Sequence, residues 1–313
     1  MDALADLLDG VRARGALFSQ SLMTPPWAVR FQNRSPLRVA TMVRGRGWIV
    51  PERGDPVALG TGDVAIVRGP GPCTVADHPG TRPTCVVHSA DVCTTPDGGE
   101  FDEGALLGPR TYGDRPEAPD RLLGASYELG GEVSRRLLSA LPDVLVVPAH
   151  ECHAPVTAMI AEEVVCQAPG QQVVLDRLLD LLLISTLRAW FDRPGSHAPA
   201  WYAAMGDPVV GRALRLLHDA PERPWTVAAL ADGCGVSRAA LARRFTALVG
   251  EPPMAYLTGW RIARAADLLR GGDSTVASIA RRVGYANTFA LSVAFKRLRG
   301  MSPTEYRRAL AAA

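Results

Sequence analysis

One short pattern occurs twice near the carboxyl end of the chain, and it limits the fold more than any other feature. The stretch TVAALADGCGVSRAALARRF covers 226–245, and TVASIARRVGYANTFALSVAF covers 275–295. Aligned on their first threonines, the two copies share residues that pack or turn, while the positions between these differ. Each copy has the apolar spacing of a helix, then a glycine, then the spacing of a second helix. The repeat therefore predicts two helix-turn-helix units, at 226–248 and 275–299.

The residues between the two helices of each copy suit a tight turn. Gly235 lies where a helix-to-helix turn needs a positive φ, and Ser237 is a good N-cap for the helix that follows. Gly284 and Tyr285 occupy the turn of the second copy. A turn of this kind lets the second helix project from a domain and enter the major groove of DNA.

The stretch that separates the two copies, PMAYLTGWRIARAADLLR at 253–270, predicts one bridging helix. Its length of roughly 25 Å follows from the rise per residue of an α-helix. Such a helix can hold the two projecting helices about 34 Å apart, which is one turn of DNA. We therefore expect this chain to read two successive major grooves on the same face of a duplex.

Positive charge is concentrated in the same part of the chain. Residues 205–313 carry 16 Lys and Arg against 8 Asp and Glu, a net charge of +8, although the whole chain carries only +2. Residues 1–204 carry 18 against 24, a net charge of −6. A basic end after an acidic front indicates that only the end meets a polyanion, and double-stranded DNA is the predicted partner.

The front of the chain has a different pattern. Residues 27–118 contain short apolar runs such as WAVRF and DVAIVRG between turn signals such as RGRG and ERGDP, which is typical of an all-β barrel or sandwich. From Gly131 onward the spacing becomes helical. Residues 1–20 have the spacing of an amphipathic helix, through Leu4, Leu7, Leu8 and Val11.

Residues 207–310 resemble the DNA-binding domain of the AraC/XylS family of bacterial transcription regulators, through VSRAALARRFTALVGEPPMAYL, WRIARAADLLR and IARRVGYANTFALSVAFKRLRGMSPTEYR. The front resembles, more distantly, the cupin-like sensor domain that often precedes this module, through LGTGDVAIVRGPGPC and PGQQVVLDRLLDLLLISTLRAW. The resemblance implies an α+β chain with a cupin-like β-barrel and flanking helices at 1–190, a linker at 191–206, and an all-α domain at 207–313. It also implies a sequence-specific transcriptional regulator, most often an activator that works with RNA polymerase.

The resemblance further implies which side chains meet DNA. Apolar side chains such as Ala239 and Ala242 can touch a thymine methyl group, and Arg243 can bind guanine through two hydrogen bonds. Phosphate contacts position a protein without specifying sequence, and the candidates for them are Arg261, Arg264, Arg281, Arg282 and Lys296. The full set of implied DNA-binding residues is Ser237, Arg238, Ala239, Ala242, Arg243, Arg244, Arg261, Asn287, Thr288, Phe289, Ser292, Val293 and Lys296.

Some cupins are enzymes, and a metal-dependent enzyme fused to a DNA-targeting module is the alternative function. The catalytic members of the cupin family, which the front of this chain resembles, use two motifs that supply histidines and a carboxylate to a metal ion. GDVAIVRGPGPC matches the second motif, but Cys73 stands where its histidine would be. VRGRGWIVPERGDP has no His-x-His pair. We therefore predict no catalytic residues, no enzyme activity and no cofactor.

Cysteines and histidines of the front form a second group of candidates. Cys85 and Val87 alternate with Val86 and His88, so a single flat strand cannot point all of them into one cavity. Three interpretations stay open: ordinary packing, a thiol redox switch, and a metal site, for which zinc is the suited ion. The sensor candidates are Cys73, His78, Cys85, His88, Cys93, Cys152 and His153.

The barrel is expected to bind a small apolar effector in a pocket lined by Trp27, Val29, Trp48 and Ile66. The helix predicted at 173–190 has a wide apolar face, which either forms a homodimer interface or packs on its own barrel.

The start of the chain, MDALADLLDGVRARG, lacks the apolar core of a secretion signal. The longest apolar stretch, LLDLLLISTLRAWF, is too short to span a bilayer. We expect a cytoplasmic protein with no membrane partner.

Overall fold

The computed structural model describes residues 17–89, 92–99, 106–127, 131–133, 138, 141–152, 154–193, 198–272 and 274–311. Among these residues the chain forms two compact units. The barrel unit contains residues 17–127 and 141–193, and the helical unit contains residues 198–311 together with the described part of 131–138. No helix within these ranges is both long enough and apolar enough to cross a membrane.

The barrel unit consists of two β-sheets with helices beside them. Its described strands are β1 (Leu17–Met23), β2 (Ala28–Phe31), β3 (Leu37–Arg44), β4 (Gly47–Pro51), β5 (Val57–Leu59), β6 (Val64–Arg68), β7 (Cys73–Ala76), β8 (Cys85–Val87), β9 (Cys93–Thr94), β10 (Leu106–Gly108), β11 (Thr111–Gly113), β12 (Asp120–Tyr127) and β13 (Val144–Val147). One sheet has the order β10-β11-β1-β12-β3-β6-β13, and the other has the order β5-β4-β7-β2-β8-β9. The predicted fold class, with a cupin-like front, is confirmed.

The core of the barrel unit lies between the two sheets, because alternate side chains of each strand point toward the opposite sheet. Met23 and Leu122 of one sheet belong to the same buried cluster as Ile49 and Val75 of the other. Trp27 lies in this cluster, and its indole N–H donates to Oδ2 of Asp120 at 2.7 Å. A buried indole that keeps a hydrogen-bond partner adds apolar area without the cost of an unsatisfied polar group.

Two helices, α1 (Ala154–Glu163) and α2 (Gln171–Phe191), complete the barrel unit. Leu175, Leu179 and Leu183 of α2 are buried within this unit, and the hydroxyl of Tyr127 donates to the carbonyl oxygen of Leu179 at 2.8 Å. The wide apolar face of α2 therefore packs on its own barrel, which is one of the two roles that the sequence left open.

Three boundaries differ from the sequence expectation. Residues 17–20 lie in β1 rather than in the predicted N-terminal helix, whose apolar residues Leu4, Leu7, Leu8 and Val11 lie outside the described residues. The β region also extends past residue 118, because β12 pairs with both β1 and β3. β13 interrupts the stretch that was expected to be helical, since a short run such as VLVV has no periodicity that separates strand from helix.

The helical unit contains α3 (Ala200–Ala204), α4 (Val210–Asp219), α5 (Val227–Cys234), α6 (Arg238–Val249), α7 (Pro253–Arg270), α8 (Val276–Arg282), α9 (Thr288–Arg299) and α10 (Pro303–Ala311). α7 is the predicted bridging helix, with Pro253 at its first position and Trp260 buried. α3 lies inside the stretch predicted as a linker, and its Trp201 is buried.

Glu132 also belongs to the helical unit. Its carboxylate accepts hydrogen bonds from the guanidinium of Arg299 and from the hydroxyl of Tyr306, the latter at 3.0 Å. The carboxylate of Asp267 accepts from the backbone N–H groups of Glu132 and Val133. These bonds attach residues from the segment between β12 and β13 to α7, α9 and α10.

Candidate nucleic-acid interface and barrel cavity

The two copies of the repeated pattern form two helix-turn-helix units with matching caps. The hydroxyl of Thr226 accepts from the N–H three residues later at 3.1 Å, and Thr275 does the same at 3.2 Å. Ser237 and Asn287 cap the second helices of the two units, at 3.2 Å and 2.8 Å. Because a cap satisfies a backbone donor that the helix leaves free, these four side chains set where each helix begins.

In each helix-turn-helix unit, a phenylalanine of the second helix packs against a tyrosine. The rings of Phe245 and Tyr256 lie edge to face with centroids 5.8 Å apart, and those of Phe295 and Tyr306 with centroids 5.4 Å apart. Both phenylalanines are fully buried. These apolar anchors fix the rotation of α6 and α9 about their axes, and so determine which side chains remain outside.

The exposed faces of α6 and α9 carry most of the predicted DNA-binding residues. Arg238, Ala239 and Arg243 are exposed on α6, and Ala242 is half-buried. On α9, Phe289 is 76% exposed and Val293 is 54% exposed, which is unusual for large apolar side chains. Thr288 and Lys296 are exposed on the same helix, and Ser292 is half-buried.

Arg244 differs from its neighbours because its guanidinium is already bound. Its Nε and Nη2 donate to Oδ2 of Asp207 at 2.9 Å and 2.6 Å. The other carboxylate oxygen of Asp207 accepts from the N–H groups of Val209 and Val210 at the start of α4. Arg244 thus joins α6 to the start of α4, which is a structural role beside the predicted contact with DNA.

Arg261 is also engaged within the unit. Its Nε donates to the carbonyl oxygen of Pro221 and its Nη2 to that of Arg223, both at 2.7 Å. Its guanidinium lies 5.8 Å from the ring centre of Tyr285, and burial lowers its pKa. These contacts tie the segment before α5 to α7, so Arg261 is a weaker candidate for a phosphate contact than the exposed Arg281.

The barrel unit contains a cavity of about 460 Å³. Of the predicted pocket residues, Trp27 and Val29 line it, but Trp48 and Ile66 do not. Trp48 and Ile66 are each one position away from a residue of the buried cluster, Ile49 and Val67 respectively, and therefore point to the opposite face of their strands. The structure therefore contains a pocket that two of the four expected residues line, while the other two lie on the opposite face of their strands.

Two arginines in the cavity wall were not predicted. Arg38 is buried and donates to Oδ1 of Asn33 at 2.7 Å and to the carbonyl oxygen of Gly71 at 2.8 Å. Nη2 of Arg110 donates to Oε1 of Gln172 at 2.5 Å, but its Nη1 is buried with no hydrogen-bond partner among the described residues. No local sequence pattern marks these residues, because their partners come from distant parts of the chain.

The sensor candidates separate into two groups. Cys73, Cys85 and Cys93 line the cavity. The two described histidines near them have local partners instead: His78 Nδ1 accepts from the N–H of Gly80 at 3.1 Å, and His88 Nε2 lies 3.0 Å from the hydroxyl of Thr94.

The remaining candidates lie elsewhere in the chain. The thiol of Cys152 donates to the carbonyl oxygen of Val147 at 3.4 Å, and burial raises its pKa to about 11. His153 lies outside the described residues. Within the part of the chain that the structure describes, no three His, Cys, Asp or Glu side chains are grouped to hold a metal ion.

In comparison with known proteins, two different family models match the front and the back of the chain. A cupin family model matches residues 2–192, and a helix-turn-helix domain model matches residues 230–309. An AraC-like transcription regulator of Streptomyces lividans is 36% identical over 98% of both chains. A second AraC-like transcription regulator, from Streptomyces antibioticus, is 35% identical over 98% of this chain and 99% of its own.

Among solved structures, the DNA-binding domain of the global transcriptional factor AdpA in complex with a target DNA matches 33% of this chain and 94% of its own, at 31% identity and a TM-score of 0.32. The cupin and helix-turn-helix matches together define a DNA-binding regulator with a barrel domain ahead of its DNA-binding domain. The chain belongs to the family of AraC-like transcription regulators.

Proposed function

We propose that this protein binds an operator in double-stranded DNA through α6 and α9, and that a small molecule in the barrel cavity controls this binding. The DNA-facing residues are those of the exposed faces of α6 and α9, with Arg238, Arg243 and Lys296 as the charged contacts. The observation that supports control by a ligand is the cavity, whose volume of about 460 Å³ is within the range of small-molecule sites.

The wall of the cavity indicates the kind of effector. Trp27, Val29 and Phe31 form part of an apolar lining, whereas Nη1 of Arg110 is a buried donor with no partner among the residues that the structure describes. Leaving such a donor unpaired costs about 1–3 kcal/mol, and a ligand that accepts from it recovers this free energy. We therefore infer an apolar effector that carries a carboxylate or a similar anionic acceptor.

A direct test compares medium-chain carboxylic acids with the alcohols of the same chain length, by calorimetry on the full-length protein. The acids are expected to bind about 10- to 100-fold more tightly, because a hydrogen bond between charged groups contributes about this much to binding. Arg110 has a φ of 50°, so Arg110→Asn keeps a residue that tolerates this backbone. This variant is expected to bind acids and alcohols alike. Equal binding by the unmodified protein would contradict the assignment of Arg110.

We further propose that the barrel unit forms a homodimer through the outer face of α2. Val173 and Leu181 are 61% and 46% exposed there, and Val174, also exposed, lies seven residues before Leu181. A seven-residue apolar spacing is what one helix presents to a partner helix. A second copy of the chain fits best, because a two-fold interface pairs the same apolar stripe with itself.

Leu181→Lys is expected to weaken this dimer by at least about 10-fold, because it replaces a side chain worth about 1.5–3 kcal/mol of burial with a charge in each subunit. Light scattering across a dilution series measures the change. Leu106→Lys is the matched control, since Leu106 is 57% exposed on β10 and lies off α2. A dimer that survives Leu181→Lys would place the interface elsewhere.

The sign of regulation is proposed to be activation, with RNA polymerase as the protein partner. The support is the resemblance of α5 to α10 to the DNA-binding module of AraC/XylS regulators, which mostly activate. A reporter gene behind the operator is expected to lose expression when the gene for this protein is deleted. A rise in expression would show repression instead.

A further inference from the structure

Two of the three cysteines in the cavity wall lie on neighbouring strands and on the same face. Cys85 begins β8 and Cys93 begins β9. In the antiparallel pairing of these strands Cys93 lies opposite Val87, two residues after Cys85. Residues two apart on a strand share a face, so Cys85 and Cys93 are diagonal neighbours that both point into the cavity.

Each of the two thiols changes the pKa of the other. The thiol of Cys85 donates a hydrogen bond to the sulfur of Cys93, which lowers the pKa of Cys93 to about 7. The same hydrogen bond, and then burial, raise the pKa of Cys85. A lowered pKa favours the thiolate of Cys93, and the thiolate is the form of cysteine that reacts.

The position of β9 allows the sulfur atoms to approach further. Among the strands that the structure describes, β9 has two residues and is the last of its sheet, paired with β8. Cys93 is half-buried, so a small oxidant reaches it, whereas Cys85 is buried behind it. A short edge strand can shift without breaking a ladder on its other side.

The other two thiols in the barrel unit with raised pKa values are held in less reactive settings. Burial raises the pKa of Cys73, whose sulfur accepts a hydrogen bond from Arg38 at 3.7 Å. Cys152 lies outside the cavity lining and donates to a backbone carbonyl. Of the three cysteines that line the cavity, Cys93 is the half-buried one, and Cys85 is its diagonal neighbour.

We propose that Cys93 and Cys85 form a redox-responsive pair, in which Cys93 reacts with a peroxide and Cys85 then closes an intramolecular disulfide in the cavity wall. The Cys93 thiolate attacks one peroxide oxygen, the O–O bond breaks, and a sulfenic acid forms while the other oxygen leaves as water after taking up a proton. The Cys85 sulfur then attacks the Cys93 sulfur, the S–O bond breaks, and a second water leaves. The two thiols lose two electrons, and hydrogen peroxide is reduced to two molecules of water.

The disulfide would join the neighbouring strands β8 and β9 in the wall of the cavity. A change in DNA affinity on oxidation therefore rests on the proposed control of DNA binding by the cavity. Formation of the disulfide itself does not, which allows the two ideas to be tested apart.

The test treats reduced full-length protein with one equivalent of hydrogen peroxide, blocks free thiols, and maps disulfides by mass spectrometry. The expected product is a Cys85–Cys93 crosslink. Cys85→Ser should instead leave a sulfenic acid on Cys93 that dimedone traps, and Cys93→Ser should form no crosslink. Cys152→Ser, as control, should behave like the unmodified protein. In the reduced protein, iodoacetamide should label Cys93 at least about 10-fold faster than Cys152.

Labelling of Cys93 no faster than that of Cys152, or a crosslink between other cysteines, would overturn the proposal. Circular dichroism of each variant shows whether it is folded, and Cys85→Ala replaces Cys85→Ser if the serine variant is not. DNA titrations on the same samples are read separately. A crosslink that leaves DNA affinity unchanged upholds the thiol pair and counts against control of DNA binding by the cavity.

Discussion

Phe295→Ala is expected to destabilise the helical unit by about 3–5 kcal/mol, the usual cost of deleting a buried phenylalanine ring. Phe295 is fully buried, and it packs edge to face on Tyr306 in a cluster with Ile279 and Leu291. Removing the ring leaves a cavity beneath α9, so this helix loses the contact that fixes its rotation. Hydrogen exchange of α8 and α9 peptides in the full-length protein measures the loss.

The matched control lies on the same helix. Phe289→Ala removes the same ring from a site that is 76% exposed, and its effect on stability should stay within about 0.5 kcal/mol. Its effect on DNA should be the larger one, because an exposed aromatic ring on a reading helix can contact a thymine methyl group. Comparing the two variants separates folding from DNA recognition. A loss of stability in Phe289→Ala, or no loss in Phe295→Ala, would show that α9 is oriented differently.

Arg243→Ala is expected to cost about 1–3 kcal/mol of operator binding and to relax the base preference at one position. Arg243 is exposed on α6, and no described hydrogen bond or salt bridge holds its guanidinium. It is therefore available for two hydrogen bonds to a guanine edge. Titrations of the full-length protein onto operator variants, at one fixed salt concentration, give the preference directly.

Arg244→Ala is the control for that measurement, because the adjacent arginine is bound to Asp207. The Arg244 side chain is half exposed, so loss of this ion pair should cost no more than about 1 kcal/mol of stability. Base preference should be unchanged in this variant. If Arg243→Ala weakens binding to every sequence equally, Arg243 contacts a phosphate and does not read a base.

Much of the helical unit was predictable because its determinants are local. Helix caps, turn glycines and apolar spacing act within a few residues, so Ser237 marks the start of a helix in the sequence itself. What the sequence did not show is which arginines are free. Arg244 and Arg261 look like their neighbours in the sequence, and only their contacts with Asp207 and with the segment at 221–223 set them apart.

Less of the barrel unit was predictable, because its determinants are distant in the sequence. The strands of the barrel unit were predicted, but the face to which each side chain points was not. Because side chains alternate along a strand, a shift of one residue separates Trp48 and Ile66 from the side chains that point to the cavity. β8 reaches its place by pairing with β2, more than fifty positions earlier in the chain, and Arg110 meets Gln172 of α2. The repeat, the cap at Ser237 and the family resemblance can be recognised in the sequence, because their determinants are local. That Cys85 and Cys93 share a cavity wall with Arg110 follows from the fold alone, because pairings between distant strands bring these residues together.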